Sequence, residues 1–337
     1  MSQPAPADWI KVTPTGLHVA PADLYVDPVH PVARAAITHG HGDHARPGHD
    51  AVLATAATLA IMKTRFGDDS GRRPQVAAYG ERLQLGDVAV TFVPAGHVLG
   101  SAQILFEYRG SRVVVSGDYK RRRDPTCPAF EPVPCDVFIT EATFGLPVFR
   151  HPDDRDEIAK VLAAREREPD RAILIGAYAL GKCQRVIALL REAGHDAPIY
   201  LHGAQEALCN LYESFGVSLG PLKSATEATK AEMAGAIVLA PPGATADRWM
   251  RRLPDPVTAV ASGWMRIRQR AKQRGVELPL VISDHADWDE LLQTVEDVNA
   301  PEVWVTHGRE EALIHAVSQT GRRARALALV GFDEEGQ

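Results

Sequence analysis

The chain is 337 residues long, 45% hydrophobic and 24% charged, with a formal net charge of −6. This composition describes a packed globule big enough for two domains, or for one domain carrying an insertion, and it excludes a disordered, collagenous or membrane-spanning chain, because no apolar run reaches the length of a bilayer span. A net negative field does not attract a polyanion, which counts against a generally basic nucleic-acid binder, and the four cysteines lack C-x-x-C spacing, which counts against a zinc ribbon or a disulfide framework.

Met1 to Asp8 carries neither the basic nor the apolar region of a secretory signal, and a cytoplasmic protein with reduced, packed thiols is expected. The first 150 residues read as short strands joined by turns, over 24–26, 34–39, 52–55, 88–93, 103–108, 112–116 and 137–140. One helix fits 56–65, with Thr55 as N-cap and Gly67 beyond its end. From about residue 153 the pattern changes to strand–helix alternation. Helices are predicted over 154–167, 182–192 and 204–213, and strands over 171–177, 198–201, 236–240 and 258–261, the signature of a parallel α/β layer. A strand at 280–283, a helix over 288–298, a strand at 303–306 and a helix near 310–318 close the chain.

The window His39-Gly40-His41-Gly42-Asp43-His44 places four metal-ligand side chains in six residues. Imidazole nitrogen suits zinc and similar ions, and carboxylate oxygen adds harder character. In H-x-H-x-D-H, His39 and His41 can face one way and Asp43 and His44 the other, so one loop can serve two metals. His97 and Asp118 each follow an apolar run. Either alone reads as a turn or capping residue. Joined to the cluster, they complete two sites. His39, His41 and His97 would hold one metal, Asp43, His44 and His307 the second, and Asp118 would bridge both. A metal pair about 3.5–4 Å apart clamps the attacking and leaving oxygens of a displacement and generates hydroxide from water near neutral pH, which argues for hydrolysis without naming the bond. Asp27, before Pro28, is either a turn starter or a carboxylate accepting the outer ring N–H of a ligand histidine.

These residues resemble the metallo-β-lactamase fold and, more narrowly, its nucleic-acid-cutting branch, the β-CASP nucleases. H-x-H-x-D-H, Gly96-His97, Ser116-Gly117-Asp118 and Asp27 are similar to the four core motifs of the superfamily. Three further marks are those of the β-CASP branch: Glu141 in Thr140-Glu141-Ala142-Thr143-Phe144-Gly145, His285 in Ser283-Asp284-His285-Ala286-Asp287, and His307 in Thr306-His307-Gly308. Ala179-Leu180-Gly181-Lys182 looks like the opening of the β-CASP insert. Phe144 stands where the family commonly has tyrosine.

The resemblance implies an α/β protein, an αββα sandwich with an inserted β-CASP α/β domain. The boundaries read as 1–168 and 269–337 for the sandwich and 169–268 for the insert, which would cap the metals. The implied activity is that of a metal-dependent nuclease using two divalent ions, zinc or manganese, and leaving 5′-phosphate ends. Asp43, Glu141 and His285 are the expected catalytic residues, with His285 protonating the leaving oxygen and Glu141 supporting it. Compact size and Gly-Asp-Tyr-Lys-Arg at 117–121 resemble the bacterial DNA ligase-associated exonucleases. This implies single-stranded DNA as substrate, repair as the setting, and association with an ATP-dependent ligase and a helicase, with no membrane. His307 is shared with RNA-processing β-CASP enzymes and keeps RNA open. A thioester or lactone hydrolase shares the metal core, and a non-catalytic scaffold is a further alternative. Lys120, Arg121, Arg266 and Arg268, from local basic clusters, are the expected nucleic-acid contacts. Each cluster alone reads as a solvated face.

Overall fold

The computed structural model describes residues 3–327 and residue 329; the side chains of Arg268, Ala271 and Arg274 lie outside that description. Two units divide the chain, Met1–Arg150 with His285–Gln337, and His151–Asp284 between them.

In chain order, a short helix α1 (Pro6–Trp9) leads into strands β1 (Ile10–Thr13), β2 (Gly16–Val19), β3 (Leu24–Val26), β4 (Arg34–Ala36) and β5 (Ala51–Ala54), helix α2 (Ala56–Phe66) and β6 (Arg73–Val76). Strands β7 (Arg82–Leu85), β8 (Val88–Pro94), β9 (Ala102–Tyr108), β10 (Ser111–Val115) and β11 (Val137–Ala142) follow. The insert holds α3 (Asp154–Arg167), β12 (Ile173–Gly176), α4 (Lys182–Glu192), β13 (Ile199–Leu201), α5 (Gly203–Ser214), β14 (Leu222–Ser224), β15 (Ile237–Ala240), β16 (Val257–Ala261), α6 (Arg268–Arg274) and β17 (Leu278–Leu280). The chain returns through α7 (Trp288–Val298), β18 (Glu302–Gly308), α8 (Glu310–Gln319) and β19 (Arg323–Ala326).

The first unit contains two sheets, ordered β1-β2-β3-β4-β5-β6 and β19-β18-β11-β10-β9-β8-β7. Strand alternation builds four layers from them. Leu17, Val26, Ala36 and Leu53 of the first sheet share one core with Val90, Phe92, Ile104, Phe106, Val113, Val115 and Ile139 of the second. On the far side of the first sheet, Ala35, Ile37, Val52 and Ala54 pack with Met62 of α2. On the far side of the second, Val114, Phe138, Val303 and Val305 pack against Trp288, Leu291, Val295 and Val298 of α7 and Leu313 and Val317 of α8. Helix, sheet, sheet, helix is the αββα sandwich. Each buried Val, Leu, Ile or Phe contributes about 1.5–3 kcal/mol. None of the described helices is long and apolar enough to cross a membrane.

The second unit is a six-stranded sheet in the order β14-β13-β15-β12-β16-β17, and every pair in it is parallel. Its inner strands β13, β15, β12 and β16 are buried throughout and read as near-continuous apolar runs, as in sheets covered on both faces. The unit changes over at 150/151 and 284/285, whereas the sequence placed the junctions at 168/169 and 268/269. Helix α3 belongs to the insert because Glu157, on its buried face, accepts a hydrogen bond from the Val281 N–H at 3.0 Å. Strand β17 belongs there because it extends the sheet beside β16. All four cysteines are free thiols, with Cys183 and Cys209 Sγ atoms 3.9 Å apart.

Candidate metal centre

The site is assembled where strands of the two sandwich sheets end. Past β4, Ile37 still pairs with Leu53 (N to O, 2.9 Å), and then the chain leaves the sheet into the histidine loop. Asp27, directly after β3, has φ +42 and accepts from the Thr38 N–H at 2.8 Å and the Thr38 hydroxyl at 2.6 Å. Its Oδ2 also lies 2.8 Å from His44 Nδ1. With its hydroxyl proton given to Asp27, Thr38 Oγ1 is left as acceptor for His39 Nδ1, 3.1 Å away. Both histidines thereby turn Nε2 inward. His97 sits in a turn in which Ser101 Oγ accepts from the N–H groups of His97 and Val98 at 3.1 and 3.2 Å. Strand β18 ends on two residues of positive φ, His307 (+58) and Gly308 (+99), beside a register shift in its pairing with β11.

The ring nitrogens converge. His41 Nδ1 lies 3.1 Å from His39 Nε2 and 2.9 Å from His97 Nε2. Asp118 Oδ2 is 3.5 Å from His39 Nε2, 3.8 Å from His97 Nε2 and 3.3 Å from His44 Nε2, and Oδ1 is 3.8 Å from His307 Nδ1. Two groups of donors capable of holding an ion result, His39, His41, His97 and Asp118, and His44, Asp118 and His307, with Asp118 in both. Tetrahedral Zn–N bonds of about 2.0–2.1 Å put ligand atoms roughly 3.3 Å apart, so the first group has the spacing and chemistry of a metal shell. Asp43 is in neither group, but its Oδ2 stands 3.7 Å from His44 Nε2.

Burial, reinforced by the charge of His44, holds His39 well below the ordinary imidazole value and keeps its lone pair free. Burial pulls His44 the same way, but Asp118 and Asp43 outweigh it and raise that histidine well above its ordinary value. Burial opposes ionisation of Asp118 too, and His44 and His307 overcome it, so the carboxylate titrates well below its usual range.

Glu141, fully buried at the end of β11, lies with both oxygens at 3.0 and 3.2 Å from His285 Nδ1 and accepts from the Tyr119 N–H at 2.8 Å. Asp118, Glu141 and His285 form a third close group, and the His285 and His97 rings are 4.7 Å apart. Phe144 is buried, 5.0 Å from Phe149 and 6.1 Å from the His285 ring.

The expected nucleic-acid contacts do not share one setting. Lys120 is 1% exposed. Arg121 is tied to Asp297 at 2.5 Å and lies over the Phe130 ring. Their charges are thus buried or neutralised within the first unit rather than displayed on a solvated face. Arg266 is exposed, in the second unit, and the Arg268 side chain lies outside the described residues. Three participants are not among the expected site residues. Thr38 is the hub of the histidine loop, Tyr119 holds Glu141, and Asp287 caps α7. Only the last has a legible signal, the Asp287–Glu290 capping box.

No family model matches the chain. A probable DNA ligase of Opitutus terrae is 31% identical to it over 318 residues, which is 93% of this chain and 30% of the relative. Ribonuclease TTHA0252 of Thermus thermophilus is 26% identical over 380 residues, covering 88% of this chain and 86% of the relative. Cleavage and polyadenylation specificity factor subunit 3 of Dictyostelium discoideum is 29% identical over 150 residues, 42% of this chain and 19% of the relative. The chain therefore spans 30% or less of the ligase and of the polyadenylation factor. A crystal structure of a protein of unknown function from Enterococcus faecalis V583 shares the fold, with a TM-score of 0.59 and 14% identity over 88% of this chain and 80% of that one. With this sandwich, this insert and these relatives, the chain belongs to the β-CASP nuclease family of the metallo-β-lactamase fold.

Proposed function

We propose that this protein is an exonuclease of single-stranded DNA, working in repair in the cytoplasm alongside an ATP-dependent ligase, with two divalent ions and 5′-phosphate products. The observation that carries the reading is the sharing of Asp118 among the two ligand groups and the Glu141–His285 pair. A hydrolase of small esters needs the ligand groups alone. The added acid–histidine pair suits a leaving group that must be protonated, such as the 3′-oxygen of a nucleotide.

The donor set fits the ions. His39, His41, His97 and Asp118 would hold one, and His44, Asp43 and His307 with Asp118 the other. Nitrogen-rich ligation favours zinc, and the carboxylates admit manganese. Bound there, divalent ions supply Lewis acidity to phosphate oxygens and lower the pKa of water toward neutrality. The chain's own residues do the rest. Asp27 and Thr38 fix the ring orientations of His44 and His39. Glu141 accepts a hydrogen bond from the Nδ1–H of His285, and in its doubly protonated form the ring gives its Nε2 proton to the 3′-oxygen as the bond to phosphorus breaks, becoming neutral. The phosphate then stays on the 5′ side.

The ligase relative, similar along 93% of this chain, supports DNA and a joint role with ligation. The ribonuclease relative supports a second reading, an RNA endo- or 5′-exonuclease of the same architecture. End-labelled single strands of DNA and RNA of one sequence, with 5′-phosphate or 5′-hydroxyl, digested in Mn²⁺ or Zn²⁺, separate the two. Mononucleotides released from DNA with 5′-phosphates are expected. Preferential cleavage of RNA selects the second reading, and 3′-phosphate ends sink the proton-transfer scheme. Hydrolysis of thioesters or lactones with neither nucleic acid cut would return the site to small acyl substrates.

A further inference from the structure

The basic run at 120–123 is partly spent on α7, and one of its members reaches the segment that carries His285. Arg122 lies with its NH2 group 2.6 Å from Asp287 Oδ2 and its Nε 3.0 Å from Glu290 Oε1. Both carboxylates are largely out of water, at 3% and 13% side-chain exposure. They also form the capping box of α7: Asp287 Oδ1 accepts from the Glu290 N–H at 3.0 Å, and Glu290 Oε2 accepts from the Asp287 N–H at 2.9 Å. Two residues before Asp287 stands His285. The intervening Ala286 donates its N–H to the Tyr119 carbonyl at 2.7 Å, while the Tyr119 N–H holds Glu141 at 2.8 Å. Residues 119–122 therefore grip both partners of the acid–histidine pair: Tyr119 through its backbone, Arg122 through the cap that follows His285.

We propose that Arg122 is a positioning residue for His285, fixing the 285–287 segment so that the ring stays in register with Glu141. The proposal rests on the reading of His285 as the proton donor. Without the guanidinium, two carboxylates with little solvent face each other at one helix end, and the helix dipole offsets only part of their repulsion. The segment relaxes by letting the cap open, which moves His285. A displacement near 1 Å at a reacting group costs up to about a hundredfold in rate. A lysine can replace the charge but not the fork that reaches both carboxylates.

The test uses the full-length, metal-loaded protein as wild type, Arg122→Ala, Arg122→Lys, His285→Ala and the double variant Arg122→Ala/His285→Ala. Each is measured on a DNA oligonucleotide and on thymidine 5′-(p-nitrophenyl phosphate), whose leaving group needs no proton, with Tm and bound metal recorded for each. On DNA, Arg122→Ala is expected to lower kcat on the order of tenfold with little change in KM. Arg122→Lys should recover part of that loss. The double variant should be no more than about threefold slower than His285→Ala, because the two changes remove one function. On the nitrophenyl ester the Arg122→Ala loss should shrink to about threefold or less, with bound metal unchanged. A rise in KM alone would make Arg122 a phosphate-backbone contact and overturn the proposal. So would equal losses on both substrates, or a further tenfold drop in the His285→Ala background. If Arg122→Ala does not fold, Arg122→Lys carries the same comparison. His285→Ala with full turnover on DNA overturns the proton-donor reading itself, and the proposal with it. His285→Ala impaired while the arginine variants are not overturns the positioning role alone.

Discussion

Thr38 gives Asp27 two hydrogen bonds, one from its backbone N–H to Oδ1 at 2.8 Å and one from its hydroxyl to Oδ2 at 2.6 Å. The same Oδ2 stands 2.8 Å from His44 Nδ1, so the carboxylate braces the histidine loop and sets the direction of one ring. Asp27→Asn keeps the shape but removes the charge and one acceptor. We expect metal affinity to fall about 10- to 100-fold, chiefly at the His44–His307 group. Equilibrium dialysis at graded free zinc measures it. Unchanged affinity would reduce Asp27 to a turn residue.

Asp118 and Asp43 differ in setting although both belong to the proposed ligand set. Asp118 lies within 3.8 Å of His39, His44, His97 and His307, while Asp43 lies 3.7 Å from His44. Asp118→Ala should abolish cleavage and empty both groups. Asp43→Ala should abolish cleavage while retaining the ion held by His39, His41 and His97. Metal content per chain, read with turnover, checks the pair. Full turnover in either variant would overturn the ligand assignment.

The histidine loop, His97 and Asp118 stand out in the sequence because their residue types are chemically particular and they follow apolar runs, whereas Glu141 and His285 are picked out only through the family resemblance. Helices α4 and α7 were readable to the residue, from apolar spacing and, at α4, from Gly194 beyond the end. Less was readable where short, half-exposed strands carry no alternation. Strand β6, Arg73-Pro74-Gln75-Val76, is exposed throughout and exists only by pairing with β5. The fate of the basic run was invisible, because Asp287 and Asp297, which neutralise Arg122 and Arg121, lie 165 and 176 residues further on. The insert boundary was blurred for a related reason. The sequence of α3 shows a charged helix but not that Glu157 would meet Val281.

Gly308 ends β18 at φ +99, and a Cβ there would stand 2.3 Å from the Ala142 carbonyl oxygen and 2.8 Å from Thr143 Cα. Backbone atoms cannot yield cheaply, so Gly308→Ala must displace either His307 or the segment just after Glu141. Strain of this kind costs roughly 1–3 kcal/mol. A lower Tm with loss of the ion at the His44–His307 group is expected. A variant with wild-type Tm and metal content would show that the strand end absorbs the change.

Chelation should act on stability as well as on turnover. Four buried histidines, His39, His41, His44 and His97, point nitrogens into one small volume. An ion present at 100 to 1,000 times its dissociation constant stabilises the folded state by about 2.7–4.1 kcal/mol. EDTA should therefore abolish cleavage and lower Tm, and added Zn²⁺ or Mn²⁺ should restore both. Restored Tm without restored cleavage would identify a binding but non-catalytic metal.

The inserted unit has its own test, independent of chemistry at the metals. Arg185, with no side-chain exposure, pairs with Asp154, whose side chain is 10% exposed, joining α4 to the first turn of α3. A buried pair adds little net stability over an apolar replacement, but removing one partner strands the other charge at a cost of about 3–5 kcal/mol. Asp154→Ala takes one carboxylate from the buried guanidinium and removes an acid from the positive end of α3. Asp154→Asn keeps a hydrogen-bond acceptor and should lose less. The expected order of Tm is wild type, then Asp154→Asn, then Asp154→Ala, with metal content unchanged because the ligands belong to the other unit. Equal Tm values for wild type and Asp154→Ala would mean that Arg185 finds another partner or water. Loss of bound metal in Asp154→Ala would mean that the two units do not fold independently.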